Sequence, residues 1–149
     1  MKRSFLIAYF SHQGHTKKVA EHIAGVTGGT LFEIVPVKKY LGGYACLPRV
    51  AKEVKGDLRP EIKTRVDKFE EYTDIVIGYP AWDYTCPKII QSFAEQYDFT
   101  GKEVFPFDTH GGSGPLGTEE IRSSCKGTVH ECHDGNHLTD EDIKSWLSV

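Results

Sequence analysis

Three short stretches of the chain carry residue types suited to holding a flat, phosphorylated ligand. The first is Ser11-His12-Gln13-Gly14-His15-Thr16, set between an apolar run, Phe5 to Phe10, and a helix-like run, Lys17 to Ala24. Hydroxyls and a glycine at the start of a helix gather unpaired backbone N–H groups, and such a cradle holds a phosphate. The second is Pro80-Ala81-Trp82-Asp83-Tyr84, which puts two large aromatic rings among polar residues after another apolar run. A ring outside a periodic element either caps the core or offers a platform for a planar ligand. The third opens Asp108-Thr109-His110-Gly111-Gly112-Ser113-Gly114 and runs on to Gly117, and its four glycines let backbone approach a ligand closely.

These stretches act together only if the surrounding elements bring them to one edge. Residues 3–10 read as a strand apolar on both faces, and residues 15–26 as a helix that turns Val19, Ala20, Ile23 and Ala24 inward. Leu31 to Val35 is a second strand. Residues 37–60 form a long surface connection with one helical piece, Arg49 to Lys55, and carry Tyr40 and Tyr44. The spacing of Ile62, Val66 and Phe69 predicts an amphipathic helix over 61–72. A third strand over 73–79, a helix starting at Pro87, a fourth strand over 102–107 and a helix over 118–125 follow. The fifth strand is expected over 127–132, and Thr139 caps a last helix whose first turn is acidic. Strands alternating with helices predict a single α/β domain over 1–149, a five-stranded parallel sheet covered on both faces. In the strand order 2-1-3-4-5 the first, third and fourth strands are neighbours, so their carboxyl-end loops converge where ligands of such sheets bind.

Other phosphate-binding patterns do not fit. A P-loop needs GxxxxGK[ST] and a dinucleotide fingerprint needs GxGxxG, whereas the first loop has only Gly14. None of the four cysteines, Cys46, Cys86, Cys125 and Cys132, stands near the end of the first strand, where a phosphatase nucleophile would be. Nor does that strand end carry the acidic residues of a receiver domain. His130, Cys132, His133 and His137 are close in sequence, but their spacing matches no standard metal site. No metal is expected.

Composition narrows the class further. The chain has 149 residues, 39% hydrophobic and 26% charged, as a globular protein has. No apolar run approaches the roughly 20 residues that span a bilayer. The cysteines show no CxxC spacing, and the start of the chain lacks a small-residue cleavage site, so reduced thiols and a cytoplasmic location are expected. The net charge of −3 is uneven: residues 1–60 carry ten Lys/Arg against four Asp/Glu, and residues 61–149 carry eight against seventeen. The basic half lacks the Arg-rich, aromatic-interleaved stripe of a nucleic-acid binder, so its charge is read as a polarised surface for a protein partner.

The chain resembles the flavodoxin-like family, and within it the short bacterial FMN-binding flavodoxins. The resemblance rests on Ile7 to Ser11, Gly14 to Ala20, Phe32 to Pro36, Gly78-Tyr79-Pro80-Ala81-Trp82, and Pro106-Phe107 through Gly114. It implies a non-covalent FMN, its phosphate on the first loop and its ring between the second and third. It departs from the family at Gln13, where a threonine is usual, at His15, where an asparagine is usual, and at Asp83, which follows Trp82 where Trp-Gly is common. The resemblance implies an electron-transfer protein whose flavin cycles between oxidised and reduced states, passing electrons to redox partner proteins. An NAD(P)H-dependent FMN oxidoreductase and a binding module that has lost FMN remain alternatives. Carboxylates at Asp83 and Asp108 are expected near the ring, where negative charge would lower the flavin potential. A homodimer through Tyr40 and Tyr44 is a further possibility, as is their packing on the sheet or over the flavin edge.

Overall fold

The computed structural model describes residues 2–149. Its sheet contains β1 (Phe5–Tyr9), β2 (Thr30–Glu33), β3 (Asp74–Pro80), β4 (Glu103–Thr109), β5 (Thr128–Val129) and β6 (His133–Asp134). All pairings are parallel, in the order β2-β1-β3-β4-β5, with β6 also paired to β4. That is the predicted strand order.

Alternation along β1 shows how the layers form. Phe5, Ile7 and Tyr9 face one cluster, where Ala20 and Ile23 of α1 (His15–Thr27) meet Ile143 and Leu147 of α5 (Asp140–Leu147). Leu6, Ala8 and Phe10 face the other. There they meet Val50 of α2 (Leu47–Lys55), Ile89, Ile90 and Phe93 of α3 (Lys88–Gln96), and Ile121 of α4 (Thr118–Ser124). The central strands β1, β3 and β4 thus bury both faces, which is why they read as continuous apolar runs, whereas β2 at the sheet edge leaves Thr30, Leu31 and Glu33 exposed. Gly78 on β3 makes room for its neighbour: a Cβ there would lie 2.1 Å from Cζ of the buried Phe107.

Two expected elements differ. Residues 61–72 are not a helix; a 3-10 turn at Phe69–Glu71 is their only helical piece. Ile62 instead forms an antiparallel bridge with Pro36, with Lys63 N–H donating to Val35 O at 2.7 Å and Val37 N–H to Glu61 O at 2.9 Å. Thr64 Oγ1 accepts from Val35 N–H and donates to Glu33 O. Burial alternates at Ile62, Thr64 and Val66, a period of two that the helical spacing of Ile62, Val66 and Phe69 hides. The second difference is the fifth strand, which is split into β5 and β6. Between the two pieces Cys132 N–H donates to Thr118 Oγ1 of α4 rather than to the sheet, and Arg122 takes Val129 O.

Candidate functional site

The carboxyl ends of β1, β3 and β4 open on a cleft of about 780 Å³, within the size range of small-molecule and cofactor sites. Its walls come from the first loop and the start of α1 (His12, Gln13, His15, Thr16, Lys18, Val19), the loop after β3 (Pro80, Ala81, Trp82) and the loop after β4 (Thr109, His110, Gly111). The three stretches that the sequence singles out therefore share one cavity. Two further segments join them: Gly43, Tyr44, Cys46 and Leu47 from the connection after β2, and Gly135, Asn136 and His137 after β6.

At the first loop, Gly14 sits at φ 94° and caps α1 without any side-chain hydrogen bond to the helix. Ser11 Oγ accepts from Gly14 N–H at 3.1 Å and Lys17 N–H at 3.2 Å, which draws the loop into a tight arc. Both bonds use the oxygen as acceptor, so the Ser11 hydroxyl proton stays free to donate. Among the described residues, the N–H groups of Gln13, His15 and Thr16 donate to no protein acceptor. Unpaired N–H groups at a helix N-terminus are an anion site, and they do not depend on which side chains stand at 13 and 15. Thr16 Oγ1 meets Thr109 Oγ1 at 2.8 Å, both residues buried, and ties the first loop to the end of β4. His12 Nε2 donates to Leu41 O at 2.7 Å, which leaves Nδ1 as the other polar atom of the ring.

Trp82 is both core cap and cleft wall. Its ring meets Phe10, Tyr40 and His12 edge-on, with centroids at 5.2, 5.1 and 5.2 Å, yet it stays partly exposed. Tyr40 is buried beneath it. The Tyr40 hydroxyl donates to Glu53 at 2.5 Å, and Arg49 both pairs with Glu53 at 2.7 Å and lies 3.7 Å over the Tyr40 ring. This network pins the connection after β2 against the cleft, with Tyr44 at its lip, 88% exposed. Trp82 and Thr85 exchange backbone hydrogen bonds at 3.0 Å, closing a tight turn around Asp83 and Tyr84. Both central residues adopt positive φ (50° and 61°), and both are exposed and outside the cleft wall.

The loop after β4 divides between the cleft and the interior. Thr109, His110 and Gly111 line the cavity; Gly112, Ser113 and Gly114 lie beyond it, and the Asp108 side chain is fully buried. Asp108 Oδ2 accepts from Leu116 N–H at 3.0 Å, while Oδ1 has no partner. Burial pushes its pKa up to about 6, against the pull of that hydrogen bond and of His110. His110 Nδ1 accepts from Gly112 N–H at 2.9 Å, so Nε2 carries the proton, 3.1 Å from Asp134. Asp108, His110 and Asp134 cluster closely enough to share an ion. A metal on Nε2 would move the ring proton to Nδ1, where it would collide with the Gly112 N–H, so this arrangement does not suit a metal ligand. Asn136 clamps His110 by its backbone, donating to the carbonyl at 2.7 Å and accepting from the N–H at 3.3 Å. Burial pushes the thiols of Cys86 and Cys132 up to about 12, which holds them in the protonated form near neutral pH.

Sequence reasoning missed the Gly135–His137 segment and left residues 37–60 without a role. The split of the fifth strand hides the first, and only tertiary contacts reveal the second. Among the described residues, no helix is long and apolar enough to cross a membrane.

The same fold occurs in known proteins. No curated protein sequence matches the chain. A candidate flavoprotein of Bacteroides eggerthii DSM 20697 is 29% identical, with 99% of this chain and 97% of that one aligned and a TM-score of 0.89. A second, from Bacteroides uniformis ATCC 8492, is 30% identical over 100% of both chains, with a TM-score of 0.84. A flavoprotein of Lactobacillus acidophilus NCFM, crystallised in complex with FMN, shares the fold at 24% identity, covering 98% of this chain and 99% of its own, with a TM-score of 0.80. The family model for flavodoxin matches residues 4–149, from the start of β1 through the last helix. With its sheet order and its three converging loops, the chain belongs to the flavodoxin family.

Proposed function

We propose that this chain binds FMN in the cleft and works as an electron-transfer protein, its flavin cycling between oxidised and reduced states. The observation that carries this reading is one cavity joining unpaired N–H groups at a helix N-terminus to an aromatic wall at Trp82. The FMN complex of the Lactobacillus acidophilus relative supports it. The residues present fit the group despite the replacements at Gln13 and His15, because the phosphate contacts that remain are main-chain ones. Gln13, His15 and Thr16 would hold the phosphate through N–H groups, with Lys18 adding charge. Trp82 would cover the ring, and Thr109 to Gly111 would meet it with backbone. FMN supplies the redox chemistry, and the protein supplies orientation and electrostatics. Asp108 stays beneath the cleft floor and acts on the ring only through charge. The four cysteines are free thiols, which suits a reducing compartment such as the cytoplasm.

The test is titration of the apoprotein with FMN. Visible flavin bands should co-purify or reconstitute at one per chain, with tryptophan fluorescence quenched at saturation, and Trp82→Ala should weaken binding about ten-fold or more. A protein that takes up no flavin overturns the reading. Mixing the loaded protein with NADPH then separates a carrier, which is not reduced, from a reductase, which is.

A further inference from the structure

The sheet does not simply stop where β4 ends at Thr109. Its neighbour β6 pairs His133 with Phe107 and Asp134 with Asp108, and Gly135 N–H then donates to Asp108 O at 2.7 Å. Carried forward two residues, that register sets residue 136 opposite residue 110. Parallel strands continuing there would bond main chain to main chain. A side chain does so instead: Asn136 Nδ2 donates to His110 O at 2.7 Å, and Asn136 Oδ1 accepts from His110 N–H at 3.3 Å. A side-chain amide carries one acceptor oxygen beside a donor nitrogen, as the main chain does. Asn136 therefore extends the sheet past its last strand residue and into the cleft wall, where Gly135, Asn136 and His110 all lie.

The clamp is itself braced. A Cβ on Gly135 would collide with Asp108 O, so glycine is what lets the chain come this close. Asn136 N–H donates to Asp134 Oδ1 at 2.8 Å, and that same oxygen lies 3.1 Å from His110 Nε2. On the other side, Thr109 O accepts from Ala81 N–H at 2.9 Å, which ties this loop to the one bearing Trp82. Among the described residues, the main chain from His110 to Pro115 has no hydrogen bond to a residue outside the loop except those with Asn136. Gly112 N–H is taken by the His110 ring, whereas Gly111 N–H meets no protein acceptor and Gly111 lines the cavity.

We propose that Asn136 is the positioning residue of the flavin site: it holds the His110 peptide groups so that Gly111 N–H meets the ring in one fixed orientation. The inference rests on the FMN reading and goes beyond it to a residue that acts through its neighbours. A loop of consecutive glycines is free to sample many conformations, and ordering it on binding would weaken the complex. Asn136 does that ordering before the ligand arrives. A fixed N–H donor also acts more strongly on the reduced ring, which carries more electron density, than on the oxidised one. The clamp therefore bears on the potential of the bound flavin as well as on its affinity.

The test compares the full chain with its Asn136→Ala variant. In the apoproteins, followed by NMR, the His110 amide should exchange with solvent about ten-fold faster in the variant, while amides of β1 and β3 keep their rates. FMN and riboflavin should both bind about ten-fold more weakly, because the loss falls on the ring they share. The midpoint potential of bound FMN should fall, since the reduced form loses more affinity than the oxidised form. A role confined to stability would instead speed exchange throughout the sheet and leave that potential where it was. Such a result overturns the assignment, as do unchanged flavin affinities, an unmoved potential, or weaker FMN binding with riboflavin unaffected. Failure of the FMN reading looks different. The unsubstituted protein then takes up no flavin, which removes both, whereas failure of the assignment alone leaves that protein flavin-loaded.

Discussion

Asp108 is the residue whose environment most strains its ordinary chemistry. It is fully buried at the end of β4, one carboxylate oxygen is unpartnered, and the nearest charges are His110 and Asp134, with Tyr79 and Cys132 close by. Burial raises its pKa to about 6 in the folded protein, against roughly 3.9 when the chain is unfolded. Between those values the folded state binds more protons than the unfolded state, so stability from this group falls as pH rises through the window. Below about pH 4 both states are protonated and the penalty vanishes. Asp108→Asn removes the charge with little change of shape, and it should raise stability at pH 7 by about 1–2 kcal/mol while leaving it unchanged near pH 3.5. Denaturant unfolding at the two pH values checks this, and an equal effect at both would mean that burial of the charge is not the cause. The residue also marks a limit of sequence reading. Its position beside a glycine-rich loop was legible, but that its carboxylate is buried while His110, two residues on, lines the wall depends on where β4 ends at Thr109 and on distant partners, Leu116 N–H for the carboxylate and Asn136 for the His110 backbone.

At the scale of elements, legibility followed how local the cause was. α1, α3 and α5 announce themselves by apolar spacing, and α5 by the reciprocal Thr139–Asp142 cap as well. The stretch 61–66 did not, because its β-branched residues satisfy both periods and the choice is made by Val35 and Val37, more than twenty positions earlier, which supply the backbone partners. The same holds for the connection after β2, whose buried anchor Tyr40 and exposed Tyr44 look alike in sequence. Where a strand's fit depends on one neighbour, the consequence is measurable. A methyl group at Gly78 would overlap the Phe107 ring, whose Cζ lies 2.1 Å from the position it would take. Phe107 sits in the cluster under α1 and α5 and has no open space to enter. Gly78→Ala should therefore destabilise the fold by about 1–3 kcal/mol, read from the midpoint of denaturant unfolding. A neutral substitution would show that β3 and β4 can separate locally without loss.

At the scale of the whole molecule, the basic half of the chain supplies the first loop, so its charge bears on the ligand. Lys18 lines the cleft and Lys17 flanks it at the start of α1, where unpaired N–H groups already favour an anion. If the phosphate half of FMN is held by this field and the ring half by Trp82, the two halves respond differently to salt. Lysines in exposed positions are screened within about 10 Å at 0.1 M ionic strength, whereas contact with an aromatic wall is not. FMN affinity should thus fall several-fold to about ten-fold as salt rises from about 0.01 M to about 0.3 M, while riboflavin, which has the same ring without the phosphate, binds more weakly and changes little. Fluorescence titration with each ligand across the series checks this. Equal salt dependence for both would place the phosphate outside the first loop. Equal affinities would go further, since they would mean that the stretch Ser11 to Thr16 shapes a turn without holding an anion.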